Sequence, residues 1–153
     1  MILVTLGTQK QQFRRLLEYI ENSNIDSSII VQSGYTKFVS NKMDIREFIS
    51  YEEMDELIEK SDIVITHGGT GSVIWPLKKG KKVIACARLH KYGEHVDDHQ
   101  TELVDVFSNE GYIKELNDEV DLDELVSHMS DFTPKQFVSN NKEFIKKLKA
   151  EID

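Results

Sequence analysis

The stretch that most restricts what this chain can fold into is Asp62-Ile63-Val64-Ile65-Thr66-His67-Gly68-Gly69-Thr70-Gly71-Ser72. Ile63, Val64 and Ile65 are consecutive β-branched residues, the mark of a strand buried on both faces of a parallel sheet. Gly68, Gly69 and Gly71 free the turn for close backbone approach, and Val73, Ile74 and Leu77 then recur at helical spacing. Thr70 or Ser72 is placed to cap that helix, whose unpaired N–H groups and positive dipole end would face the carboxyl edge of the strand. Phosphate fits such a cradle best. A plain connector would not need the entropic cost of three glycines in four residues, and His67 adds a titratable donor where ligands of open α/β sheets bind. The turn is neither a P-loop, since no Lys follows the glycines, nor a dinucleotide fingerprint, since its third position is Ile74.

The rest of the chain repeats the pattern. Ile2 to Leu6 is an apolar strand ending in Gly7-Thr8, and Phe13, Leu16, Leu17 and Ile20 predict a helix from about Gln9 to Glu21. Ser28 to Gln32 reads as a strand ending at Gly34-Tyr35, and Ile45 to Ile49 as a shorter one. Ser50 caps a helix over 51–60, with Glu53 completing a capping box. Lys82 to Ala87 is a fifth strand, ending beside a buried thiol at Cys86. Val96 to Asn109 reads as a helix, Gly111 to Leu116 as an edge strand, and 121–129 and 135–149 as closing helices. Strands alternating with helices imply an α/β, doubly wound, Rossmann-like parallel-sheet domain.

At 153 residues the simplest expectation is one domain over 1–153. A formal charge of −8 argues against nucleic acid as a partner. No apolar run approaches the length of a membrane span, no signal region precedes the first strand, and a single cysteine suits a reducing cytoplasm.

In such sheets the loops at the carboxyl ends of the strands share one crevice. Four of them carry chemistry here: Gly7-Thr8, Gly34-Tyr35, His67 to Ser72, and Lys91-Tyr92-Gly93-Glu94-His95-Val96-Asp97-Asp98-His99-Gln100. The last offers carboxylates, imidazoles and an amide within ten residues, equipment for a hydroxyl-rich ligand such as a ribose or hexose. His95 and His99, spaced i, i+4, also allow a metal site with Glu94 or Asp98, although Val96 stands where a zinc protease has its Glu. A solvated helix start would explain some of the carboxylates equally well. Cys86 with His67 makes no convincing nucleophile and base.

These residues resemble those of the split glycosyltransferases that include the PssE and CpsG type of capsule and exopolysaccharide proteins and the Alg13 subunit. The resemblance runs nearly end to end and rests on Val4-Thr5-Leu6-Gly7-Thr8 with Phe13 and Leu16-Leu17, on Ile65 to Ser72, and most specifically on Lys91 to Gln100. It implies the C-terminal, nucleotide-sugar-binding half of a GT-B glycosyltransferase, like that of the MurG-type enzymes, acting as a UDP-sugar-dependent hexosyltransferase. It implies no cofactor and no metal, and a membrane-associated partner subunit of the PssD, CpsF or Alg14 type that brings a lipid-linked acceptor to the cytoplasmic face of the membrane. Carried over, Gly68, Gly69, Thr70, Gly71 and Ser72 hold the diphosphate, His99 and Gln100 meet the donor sugar, and Gly7 and Thr8 border the same cleft; Gly34 and Tyr35, at a neighbouring strand end, are donor-binding candidates by position. His67 is the catalytic candidate. Many relatives have a ribose-binding Glu where this chain has Trp75, which moves that task to Glu94 or Asp98. The alternative is an accessory module that binds a nucleotide or sugar without chemistry. A partner would dock near the crevice, around Tyr35, Phe38 and Tyr92, and on the last helix with Phe137, Phe144, Ile145 and Leu148.

Overall fold

The computed structural model describes residues 1–138 and, beyond them, Lys146. Among the described residues six strands and five α-helices follow one another, alternating except where β3 follows β2 directly: β1 (Ile2–Thr5), α1 (Arg14–Glu21), β2 (Ile29–Gln32), β3 (Asp44–Arg46), α2 (Tyr51–Lys60), β4 (Ile63–His67), α3 (Thr70–Lys78), β5 (Lys82–Cys86), α4 (His99–Asn109), β6 (Lys114–Glu115) and α5 (Leu122–His128). The strands form one sheet in the order β3-β2-β1-β4-β5-β6, and every pairing is parallel. The doubly wound α/β expectation holds.

β1 lies at the centre, with Ile2 opposite Ile29 on one side and Ile63 on the other. Its alternating side chains feed two separate cores, as a sheet buried on both faces requires. Leu3, Val64 and Val83 pack with Leu57, Ile58, Val73, Leu77 and Phe107 on one face. Ile2, Val4, Ile65 and Ile84 pack with Phe13, Leu16, Leu17 and Ile20 on the other. Cys86 ends β5 in the second core, where burial pushes its thiol up to about 12, so it is inert as a nucleophile at neutral pH.

Five local expectations change. α1 begins at Arg14 rather than near Gln9, because Gln12 leaves the helical path to accept from Lys37 N and donate to Tyr35 O. β3 stops at Arg46. Ser50 does cap α2, accepting from Glu53 N at 3.2 Å, but the Glu53 side chain bonds Arg46 at 2.7 Å instead of returning to the cap, so the box is half made. α4 begins at His99, not Val96, after a 3-10 turn over His90–Tyr92 and a left-handed Gly93. Of the predicted last helix, residues 135–138 have no regular structure, and Phe144, Ile145 and Leu148 lie outside the described residues.

Candidate functional site

The carboxyl ends of β1, β2, β4 and β5 meet in one place, and a histidine fills the middle of it. His67 is buried, and its ring lies 2.5 Å from where a Cβ would stand on Gly7 and equally close to one on Gly69. Gly69, read as freedom for a phosphate, and Gly7, at the cleft border, are therefore both required by the protein's own imidazole. Gly69 has φ −76° and needs no left-handed backbone. Positive φ occurs instead at Gly7 (77°) and Gly34 (58°), and a Cβ on Gly34 would meet Gly7 O at 2.4 Å, so these two turns press together. Gly71 differs: nothing stands within 4 Å of a Cβ there.

α3 starts over this packing with Gly69 at its N-cap and no side-chain cap. Neither Thr70 nor Ser72 caps it. Ser72 Oγ instead lies 3.0 Å from His67 Nε2, and His67 Nδ1 lies 3.1 Å from the Gln100 amide nitrogen. The Gln100 oxygen accepts from Gly68 N at 2.9 Å and Arg88 N at 3.0 Å, stitching the ends of β4 and β5. Burial first, and then the charge of Arg88, hold the His67 pKa down to about 3. With both nitrogens engaged and its basicity suppressed, His67 is not equipped to take a proton from an acceptor.

Sequence reasoning missed Arg88. Its guanidinium is fully buried over the Phe13 ring, with Nη1 donating to Gln11 O and Glu94 O and Nη2 to Leu6 O. Burial pulls it down to about 10, while the nearby Glu94 charge works the other way. It ties the loop after β1 to the loop after β5. The one signal was a charged residue directly after an apolar strand, at the end of Val83-Ile84-Ala85-Cys86-Ala87.

The Lys91 to Gln100 loop divides its residues differently from the expectation. Glu94 is turned inward, with its carboxylate on Arg15 Nε and Nη2 and on Leu89 N. Gln100 is buried on backbone groups, as above. The Glu94 carboxylate and the Gln100 oxygen are thus taken up by the protein itself. Asp98 accepts from His90 N and stays exposed. His95 lies 3.0 Å from Asp97 Oδ1 and from Gln9 Nε2, and His99 is exposed. Among the described residues no three His, Cys, Asp or Glu side chains are grouped to hold a metal ion, so the His95 and His99 alternative finds no ligand set.

Two cavities flank the start of α3. One, of about 350 Å³, is lined by Gly7, Thr8, Phe48, Tyr51, Ser72 and Trp75 among others. Tyr51 stacks on Trp75 at 4.6 Å, and Trp75 Nε1 donates to Asp55 at 2.8 Å. Phe48 stands at the edge against Tyr35 at 5.4 Å. The other, of about 250 Å³, is lined by Gly68, Gly69, Thr70, His95, His99 and Gln100 among others. Gly7, Thr8, the Gly68 to Ser72 turn, His99 and Gln100 thus converge. Asp98 and Glu94 line neither.

Residues 1–152 match the glycosyltransferase family 28 C-terminal domain. The chain belongs to that family. The family 28 domain is 32% identical over 84 residues to the "UDP-N-acetylglucosamine transferase subunit ALG13" of Cryptococcus neoformans, 55% of this chain and 40% of that protein. It is 32% identical over 76 residues to the protein of the same name from Saccharomyces cerevisiae, covering 49% and 36%. The matched stretch is thus well under half the length of these curated relatives. Among solved structures, the NMR structure of ALG13 superposes with a TM-score of 0.61 at 20% identity, over 96% of this chain and 94% of that one. MurG of Acinetobacter baumannii superposes with a TM-score of 0.55 at 18% identity, over 96% of this chain and 44% of that one. These likenesses identify the fold of the family 28 domain as that of a GT-B C-terminal half.

Proposed function

We propose that this family 28 domain is the donor-binding part of a two-component glycosyltransferase, moving a hexose from a UDP-sugar to a lipid-diphosphate-linked acceptor. The observation that carries this reading is the position of the α3 N-terminus between two cavities, one aromatic and one polar. A nucleobase and ribose fit the aromatic side, the diphosphate the helix N-terminus at Gly69 to Ser72, and the sugar the side with His99. The helix dipole and unpaired N–H groups would stabilise the leaving nucleoside diphosphate without a divalent cation. The name of the ALG13 relatives makes UDP-N-acetylglucosamine the first donor to try, and calls those proteins subunits.

In this reading a membrane-associated subunit of the PssD, CpsF or Alg14 type supplies the acceptor half at the cytoplasmic face, and the pathway is capsular or exopolysaccharide synthesis. No helix among the described residues is long and apolar enough to cross a membrane. A second reading, an accessory module that holds a nucleotide without chemistry, draws on His67, whose suppressed basicity removes the catalytic candidate at the centre of the cleft.

Calorimetric titration of UDP into the chain in the presence of a chelator tests the site. Binding is expected, and binding that appears only with magnesium or manganese would overturn the metal-independent account. Co-expression with the membrane subunit and a screen of UDP-sugars on a lipid-linked acceptor tests the reaction. Transfer supports the enzyme, while binding without transfer in the assembled complex favours the accessory module.

A further inference from the structure

The hydrogen bonds around His67 have a direction, and it can be followed from one end to the other. Gln100 Oε1 faces two backbone N–H groups, those of Gly68 and Arg88. Backbone amides only donate, so the atom between them must be the amide oxygen, and the flipped side chain would set an NH₂ against two N–H groups. The Gln100 NH₂ is therefore the group facing His67 Nδ1, and Nδ1 must accept. A neutral imidazole that accepts at Nδ1 carries its proton on Nε2. That proton points at Ser72 Oγ, 3.0 Å away. Ser72 accepts there, and its own hydroxyl proton has no acceptor among the described residues. Ser72 is half-buried and lines the larger cavity beside the α3 N-terminus.

We propose that Gln100 is a positioning residue, acting through His67 to make Ser72 a one-way hydrogen-bond donor to the anionic ligand of the cleft. This rests on the donor-site reading above for the ligand, and on the hydrogen bonds alone for the direction. It assigns Gln100 a task other than touching a sugar. Were His67 Nε2 bare, the Ser72 hydroxyl would donate to it and turn only lone pairs toward the ligand, which a phosphate oxygen cannot use. A serine that accepts from His67 Nε2–H keeps its single proton for the ligand, which suits a phosphate oxygen, an acceptor only. The low proton affinity of His67 keeps the relay in one state across physiological pH.

The decisive variant is Gln100→Glu. One carboxylate oxygen can still accept from Gly68 N and Arg88 N, but the other would face Nδ1 and require a proton there. Nε2 of the neutral ring then accepts, and the Ser72 hydroxyl turns inward to donate to it.

The tautomer is read from the imidazole nitrogen shifts of His67 by NMR in the free protein. The expected result is an Nε2–H ring in the parent and an Nδ1–H ring in Gln100→Glu. UDP is the binding probe, used at a pH where those shifts show a neutral ring. Gln100→Glu and Ser72→Ala should each weaken UDP by about tenfold, the worth of one hydrogen bond to a charged group. The double variant should be no weaker than Ser72→Ala alone. An Nδ1–H ring in the parent protein overturns the proposal whether or not any variant folds. So do unchanged UDP affinity in Ser72→Ala and additive losses in the double variant. Because the tautomer is measured without ligand, a parent protein that fails to bind UDP would overturn the nucleotide reading and leave the relay to be decided by the nitrogen shifts.

Discussion

Arg15 and Glu94, 79 residues apart in the chain, face each other side by side: Arg15 Nε meets Oε2 and Nη2 meets Oε1, both at 3.0 Å. The pair fastens α1 to the loop that lies over the smaller cavity. Glu94 and Arg15 side chains are only 4% and 15% exposed, so neither charge is well solvated if the other is lost. Glu94→Gln should cost about 1 to 3 kcal/mol in urea unfolding, below the loss of an isolated buried pair because Arg15 keeps Asp118 at 3.1 Å. Adding Arg15→Gln should recover part of it. A loss no larger than that of a surface pair would show that water reaches the cluster.

Two glycines of the cradle should respond oppositely. Gly69→Ala drives a Cβ toward the His67 ring and should destabilise by roughly 1 to 3 kcal/mol through overpacking. Gly71→Ala meets open space inside α3 and should raise stability by about 0.5 kcal/mol while weakening UDP. Thermal melts and calorimetry on the two proteins check both. Undiminished UDP affinity in Gly71→Ala would mean that the diphosphate does not approach this backbone.

Acid should destabilise the fold earlier than the carboxylates alone predict. The folded His67 stays neutral down to about pH 3, whereas the unfolded ring takes a proton below its ordinary 6.5. Unfolding therefore binds a proton between those values, and stability falls as pH drops, by about 1.4 kcal/mol per pH unit from this group. Above pH 6.5 it contributes no pH dependence. Asp55, Asp62 and Asp97, all held below their ordinary 3.8, add their own loss only nearer that value. Urea midpoints followed from about pH 6 to 4 should decline in the parent and much less in His67→Gln. Equal slopes would refute the assignment.

Tyr51 offers a cleaner probe of the aromatic cavity. It is 70% exposed and stacks on Trp75. Tyr51→Ala should change stability by no more than about 0.5 to 1.5 kcal/mol, the worth of an aromatic pair, yet lower UDP affinity several-fold. If UDP binds as before, the base lies elsewhere.

The legible part of this molecule was the part written in periodicity. Ile63 to Ile65 announced a strand buried on both faces, and Ser50 announced its helix, because strand burial and capping depend on near neighbours. The turns at Gly7, Gly34 and Gly68 were found for the same reason. The resemblance assigns Gln100 to the donor sugar, and the missing ribose-binding Glu at Trp75 points to Glu94 as its replacement, so both are expected to face the ligand. They turn inward to satisfy Arg15, Leu89, Gly68 and Arg88, and in all but one of these contacts the partner lies too far off for a local pattern to show. Gly69 was visible as a glycine, but its reason, the ring of His67, belongs to the folded state alone.

The central place of β1 also sets how this sheet can assemble. Its partners β2 and β4 are both parallel, and the register Ile2 with Ile63 spans some sixty residues. No hairpin is available as a local nucleus, because every pairing in the sheet must wait for a crossover to close. Such a topology folds slowly for its size, and until β4 arrives, one edge of the most apolar strand stands open to any other extended chain nearby.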